Sequence, residues 1–168
     1  MARIKHISDH DVLEKVLTVL FCDGEKSVTF AAIARLCGLA PSTLVQRYHS
    51  CPAMLEAALH MAWQQLEAKT TTAVLESNGK GVQSLLKALS GPINTPALLN
   101  ASLCHPAMIL RAKTWRETVE DALAARMTVG AKATETAALI FAAWQGRLLW
   151  DAAGGKGFRL GEALKRLG

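Results

Sequence analysis

Apolar residues recur every three or four positions along most of this chain, which is the spacing of α-helices rather than of strands. Ser8 and Gly24 bracket the first such segment, as a capping hydroxyl and a terminating glycine. Thr29 and Gly38 bracket a second, very short segment in the same way. A third segment starts at Pro41, because proline favours the first turn of a helix. The pattern predicts short, closely spaced helices near the N-terminus.

The second and third helices have the spacing of a helix-turn-helix. Ala34 is small enough to let the two helices approach, Gly38 supplies a left-handed turn, and Leu44 fills the angle between them. The third helix would then enter a major groove, where hydrogen-bonding and cationic side chains read base edges and phosphates. Its predicted outward residues are Pro41, Ser42, Thr43, Val45, Gln46 and Arg47. The alternative is a helical hairpin that binds no nucleic acid.

The rest of the chain also reads as helices. Their approximate bounds are 52–77, 82–90, 97–104, 108–126, 133–153 and 160–167. The helix at 133–153 is apolar nearly all round, so it must be buried on more than one side. Two such helices from each of two subunits would form a four-helix bundle. The predicted interface residues are Ile140, Phe141, Trp144, Leu148 and Leu164.

These patterns predict an all-α protein with two domains. Residues 1–51 form a three-helix, helix-turn-helix DNA-binding domain, and residues 52–168 form a helical bundle that dimerises through its last two helices. The composition agrees with a packed core, since 51% of the residues are hydrophobic and 20% are charged. The net charge is +5, but only +1 of it falls before Pro52, so the DNA-binding hypothesis rests on the motif.

Other functional classes find little support. The longest apolar stretch, 137–150, is shorter than the ~20 residues of a membrane span, and the N-terminus does not resemble a secretory signal, so we expect a cytoplasmic protein without a membrane partner. The four cysteines form no CxxC pair, and His6 and His10 lack a third ligand, so no metal or cofactor is expected. Cys104 and His105 lack an orienting acid, so we do not expect an enzyme.

Residues 28–48, VTFAAIARLCGLAPSTLVQRY, followed by AMLEAA at 53–58, resemble the DNA-binding domain of the TetR (tetracycline-repressor-like) family. The resemblance implies a homodimer that binds a palindromic operator, usually as a repressor released by a small ligand. By matching positions, Thr29 would touch a phosphate and Tyr48 would pack the domain. The groove residues would be Ser42, Thr43, Gln46 and Arg47. The chain departs from the family where a serine cap, an aromatic phosphate contact and a lysine are common, since it has Ala40, Val45 and Cys51.

Two further sets of residues are candidates for binding. Arg3 and Lys5 would form a minor-groove arm, or else a solvated terminus. A ligand site in the second domain would be lined by large, soft, uncharged side chains, which suit an apolar or aromatic inducer. Its candidates are Met61, Trp63, Cys104, Met108 and Trp115, which would otherwise form a solid core. The competing hypotheses are a regulator of the same fold without an inducer, and a helical binder or enzyme that does not use DNA.

Overall fold

The computed structural model describes residues 7–91, 95–127 and 132–154. This part of the chain is helical and contains no strand, which confirms the predicted all-α class. The α-helices are α1 (Asp9–Asp23), α2 (Phe30–Cys37), α3 (Pro41–Tyr48), α4 (Cys51–Glu76), α5 (Val82–Leu89), α6 (Thr95–Ser102), α7 (Pro106–Ala124) and α8 (Ala133–Trp150). The predicted last helix, 160–167, lies outside the described residues.

The chain divides into two compact units, an N-terminal unit, Met1–Gln64, and a C-terminal unit, Gln65–Gly168. The predicted domain boundary precedes Pro52, whereas the compact units divide α4 between Gln64 and Gln65. The assignment of residues 52–64 to the dimerisation and ligand-binding domain therefore stays a prediction.

The capping residues explain where the first helices begin and end. The Ser8 hydroxyl accepts a hydrogen bond from the Asp11 backbone N–H, and the Asp11 carboxylate accepts one from the Ser8 N–H, so α1 begins with a capping box. Gly24 ends the helix with a φ of 82°. Both predicted ends of α1 are confirmed. A short 3-10 turn, Glu25–Ser27, which the apolar spacing does not predict, then leads toward α2.

The core of the N-terminal unit is built from the predicted apolar faces. In α1, Val12 and Val16 are completely buried, and α1 packs on α2. Ile33 of α2 and Leu44 of α3 are likewise completely buried, where α2 packs on α3. Burial of each such side chain contributes roughly 1.5–3 kcal/mol, so these contacts hold the three short helices together.

The C-terminal unit is a bundle in which α7 packs on α8 and α6 packs on both. An aromatic cluster of Trp115, Phe141 and Trp144 joins α7 to α8, with ring centroids 5.7–6.4 Å apart. The observed helix bounds differ from the predicted ones by at most three residues, and α7 begins and ends two residues early. Thr95 starts α6 two residues early, and α8 ends at Trp150 in a 3-10 turn, Asp151–Ala153, because Gly154 adopts a left-handed conformation there.

Candidate nucleic-acid interface

The turn between α2 and α3 is set by one glycine. Gly38 has φ 65° and ψ 31°, a left-handed conformation that costs an L residue about 1–2 kcal/mol. The turn brings the Leu39 N–H to the Ala34 carbonyl at 2.9 Å, which satisfies the end of α2. Ala34 is buried beneath the turn, and Leu44 is buried at the angle between the helices. The predicted roles of these residues in the turn are confirmed.

One face of α3 is open to solvent. Pro41, Ser42, Val45 and Gln46 are exposed along it, and Thr43 is half-buried at its edge. The helix contains no acidic residue, so nothing on this face repels a phosphate. The exposed face therefore presents one hydroxyl and one amide suited to hydrogen bonding, together with apolar surface.

Arg47 lies on the opposite flank of α3, toward α1. Its Nη1 donates to the Ile7 carbonyl and to Asp9 Oδ1, each at 3.1 Å. The Tyr48 hydroxyl donates to the same Asp9 oxygen at 3.3 Å. We call Asp9, Arg47 and Tyr48 the α1–α3 clasp. Burial, reinforced by the charge and hydrogen bond of Asp9, raises the pKa of Tyr48 to about 12.

In the C-terminal unit, polar contacts tie the second half of α4 to α7. Arg111 donates two hydrogen bonds to the Glu67 carboxylate, at 2.9 and 2.6 Å. The Trp115 indole N–H donates to Thr70 Oγ1 at 2.8 Å. Arg126 donates to the Val74 carbonyl near the end of α4, at 3.0 Å. These partners lie along one face of α4, so the two helices are held in register.

The fold can be compared with solved structures. A crystal structure from Rhodococcus sp., described provisionally as a TetR-family transcriptional regulator, matches with a TM-score of 0.59 at 15% sequence identity. The match covers 95% of this chain and 93% of that one. The chain has the TetR-type fold. No protein-family model matches the chain, and no curated protein does. The likeness therefore shows the fold, in agreement with the resemblance of residues 28–48 and 53–58.

Within the TetR-type fold, the positions that depart from the family pattern are visible. Ala40 caps α3 in extended backbone but offers no side-chain hydrogen bond, and Pro41 occupies the first turn. Val45 is exposed, and Cys51 is the first residue of α4. Thr29 caps α2, accepting from the Ala32 N–H at 3.2 Å, which leaves the hydroxyl proton able to donate to a phosphate. The phosphate contact of Thr29 stays a prediction, and Arg3 and Lys5 lie outside the described residues.

The structure divides the predicted ligand residues into buried and exposed ones. Trp63, Met108 and Trp115 are buried, Met61 is half-buried, and Cys104 is exposed in the turn after α6. Within the C-terminal unit, Trp115 packs in the aromatic cluster with Phe141 and Trp144. A ligand site at these residues stays a prediction.

The predicted dimer residues of α8 lie largely inside their own subunit. Ile140 and Trp144 are only 3% and 4% exposed, and Phe141 is half-buried in the aromatic cluster. Leu148 is half-buried, and the predicted interface residue Leu164 is outside the described residues. The open face of α8 instead carries Leu139, Ala142, Leu149 and Trp150. A helix that is apolar all round has two candidate faces for a partner, and sequence alone does not say which one the subunit covers itself.

The described residues contain no group of three His, Cys, Asp or Glu side chains close enough to hold a metal ion. None of the described helices is long and apolar enough to cross a membrane. Asp9, in the first turn of α1, is a candidate functional residue that the sequence pattern does not single out. Its partner lies 38 positions away, so no local spacing could reveal the pair.

Proposed function

We propose that the protein is a sequence-specific transcriptional regulator, a non-enzyme that binds a palindromic operator as a homodimer through α3, with repression as its mode of action. The observation that carries the proposal is the turn at Gly38, which leaves an open, acid-free face on α3. Ser42 and Gln46 on that face are exposed and suited to base edges, where a good bidentate contact is worth about 1–3 kcal/mol.

The test is selection of bound sequences from a pool of random DNA duplexes by the full-length protein. We expect a recovered motif with two-fold symmetry, because a symmetric dimer places two copies of α3 on related half-sites. Gln46→Ala should relax the preference at one base position of each half-site. Gln83→Ala, on the exposed side of α5, is the matched control and should leave the motif unchanged. A pool that shows no enrichment would favour the helical binder that does not use DNA.

For the homodimer, we propose the open face of α8 as the interface. Leu139, Leu149 and Trp150 are each 62–63% exposed, and Ala142 and Gly146 on the same face are small enough for close helix approach. Continuous apolar surface of this kind is covered in most soluble proteins. A second copy of the chain can cover it by bringing two α8 helices together.

Sedimentation of a Leu149→Asp variant tests this interface. The substitution places a charge in the proposed contact, so the dimer should dissociate while the subunit stays folded. Leu75→Asp, at a more exposed leucine of α4, is the control that should remain dimeric. A Leu149→Asp dimer as stable as the wild type would exclude the open face of α8 as the interface.

The structure offers observations for and against an inducer. The Trp115 indole donates to Thr70 and its ring packs against two aromatic neighbours, which supports a filled core and the regulator without an inducer. Among the described residues, however, the buried Gln145 Nε2 has no hydrogen-bond partner, while its Oε1 accepts from Thr95 Oγ1 at 3.0 Å. An unpaired buried donor is costly, and a ligand could supply the acceptor.

A matched pair of probes distinguishes these two regulators. Acetophenone carries a carbonyl acceptor, whereas ethylbenzene has nearly the same shape without one. If an apolar inducer binds at Gln145, acetophenone should raise the melting temperature in a saturable way, and ethylbenzene should do so less. Gln145→Leu should remove the difference between the probes. No shift with either probe, with operator binding intact, would support the regulator without an inducer.

A further inference from the structure

The basic side chain of α3 is engaged within its own unit. Arg47 is 25% exposed and makes its two hydrogen bonds with groups that precede or begin α1. At about 100° per residue, Arg47 projects nearly opposite the exposed Ser42 and Val45. Its position thus differs from the outward one that the apolar spacing predicts.

The clasp connects segments that are far apart in sequence. Asp9 is the first residue of α1, and Arg47 and Tyr48 form the end of α3. Leu44 alone is completely buried on α3, so the apolar anchorage of this short helix is small. Directional, charge-assisted bonds at its end would fix the rotation of α3 about its own axis, which non-directional apolar contacts do poorly.

We propose that Arg47 is a positioning residue for DNA recognition, which orients α3 through Asp9 instead of contacting the operator. The inference rests on the proposed function. Its consequence is that Asp9, an acid, favours DNA binding, because removing it releases the recognition helix. The same guanidinium group also holds the Ile7 carbonyl, two residues before Asp9.

A positioning role and a direct phosphate contact of Arg47 predict opposite changes in operator affinity for the substitution Asp9→Asn. If Arg47 binds phosphate and Asp9 merely competes for it, Asp9→Asn should tighten binding and steepen its salt dependence. Each phosphate contact contributes about −0.9 to the slope of log affinity against log salt. If the clasp positions α3, Asp9→Asn should weaken binding by about tenfold, a loss of roughly one charge-assisted hydrogen bond. The slope should then stay unchanged, since no phosphate contact is lost.

The experiment measures affinity and salt slope by fluorescence anisotropy, with the duplex that the wild-type protein selects and a scrambled duplex of equal composition. Asp9→Asn, Arg47→Ala and the double variant should each weaken specific binding, and the double variant by less than the sum of the single losses, because all three remove the same ion pair. Asp9→Glu keeps a carboxylate and should restore most of the affinity. Asp23→Asn, at the other end of α1, is the matched control for loss of an acid and should not weaken binding.

Thermal melting of each variant separates positioning from global unfolding, since every variant must be folded at the assay temperature. The chain has a single tyrosine, so absorbance titration reports Tyr48 alone, and loss of its contact with Asp9 should lower the pKa of Tyr48. Tighter binding by Asp9→Asn, or wild-type affinity of both single variants, would overturn the positioning role and leave the proposed function intact. A wild-type protein without any sequence preference would overturn both.

Discussion

At the scale of single residues, the backbone at Gly38 has the clearest energetic consequence. Its φ of 65° is in the left-handed region, and a Cβ built there would meet nothing within 4 Å. Gly38→Ala should therefore destabilise the protein through backbone strain alone, by about 1–2 kcal/mol. Urea unfolding measures this loss. Gly81→Ala has an equally open surrounding but a φ of −72°, so equal losses for the two variants would contradict the assignment to strain.

Tyr48 gives a pH-dependent prediction. Burial is the larger cause of its raised pKa and Asp9 the next, so the folded value is about 12 against an ordinary value of 10.0. The neutral phenol is favoured in the folded state, so its stabilising contribution is complete below pH 10.0 and is lost as the pH rises through about 12. Absorbance titration should show a midpoint near 12, and Asp9→Asn should move it toward 10.0. A wild-type midpoint near 10.0 would mean that the hydroxyl is solvated.

At the scale of elements, the helix ends were predictable because their signals are local. A hydroxyl at Ser8 or Thr29 satisfies backbone donors a few residues away, and Gly24 and Gly38 permit backbone that other residues avoid. The clasp was not predictable, because pairing Asp9 with Arg47 depends on how α1 and α3 pack. The face of α8 that the subunit covers itself was not predictable for the same reason, since Trp144 packs against Trp115 and Phe141 of its own unit.

The junction of α4 and α7 supplies a prediction with a built-in control. Thr70 and Thr71 both donate to carbonyls four residues earlier, but only Thr70 accepts the Trp115 indole N–H. Thr70→Val should remove the acceptor of this buried hydrogen bond and cost about 1–3 kcal/mol. Thr71→Val, on the exposed side, should stay within about 0.5 kcal/mol of the wild type. Chemical denaturation compares them, and equal losses would mean that the indole bond contributes nothing.

At the scale of the whole molecule, the distribution of charge and the two-fold symmetry of a dimer together determine how DNA binding should depend on salt. Only +1 of the net charge of +5 falls before Pro52, and Cys51 stands where the TetR resemblance implies a lysine at the start of α4. Cys51→Lys should add one phosphate contact per subunit. Because each contact contributes about −0.9 to the salt slope, a dimer should gain about −1.8, whereas a monomer on one half-site should gain only half as much.

Anisotropy titrations over a range of salt concentrations measure that difference on the selected duplex. Cys22→Lys adds the same charge at the exposed end of α1 and is the matched control. A charge remote from DNA acts only through the screened field of the protein, so its slope should stay near the wild-type value. A change in salt slope of about −1.8 for Cys51→Lys, without a change for Cys22→Lys, would support two conclusions. The start of α4 would face the operator, and two subunits would bind it together. Equal slopes for the two lysine variants would exclude a phosphate contact at this position, and a half-sized gain would exclude simultaneous binding of two subunits.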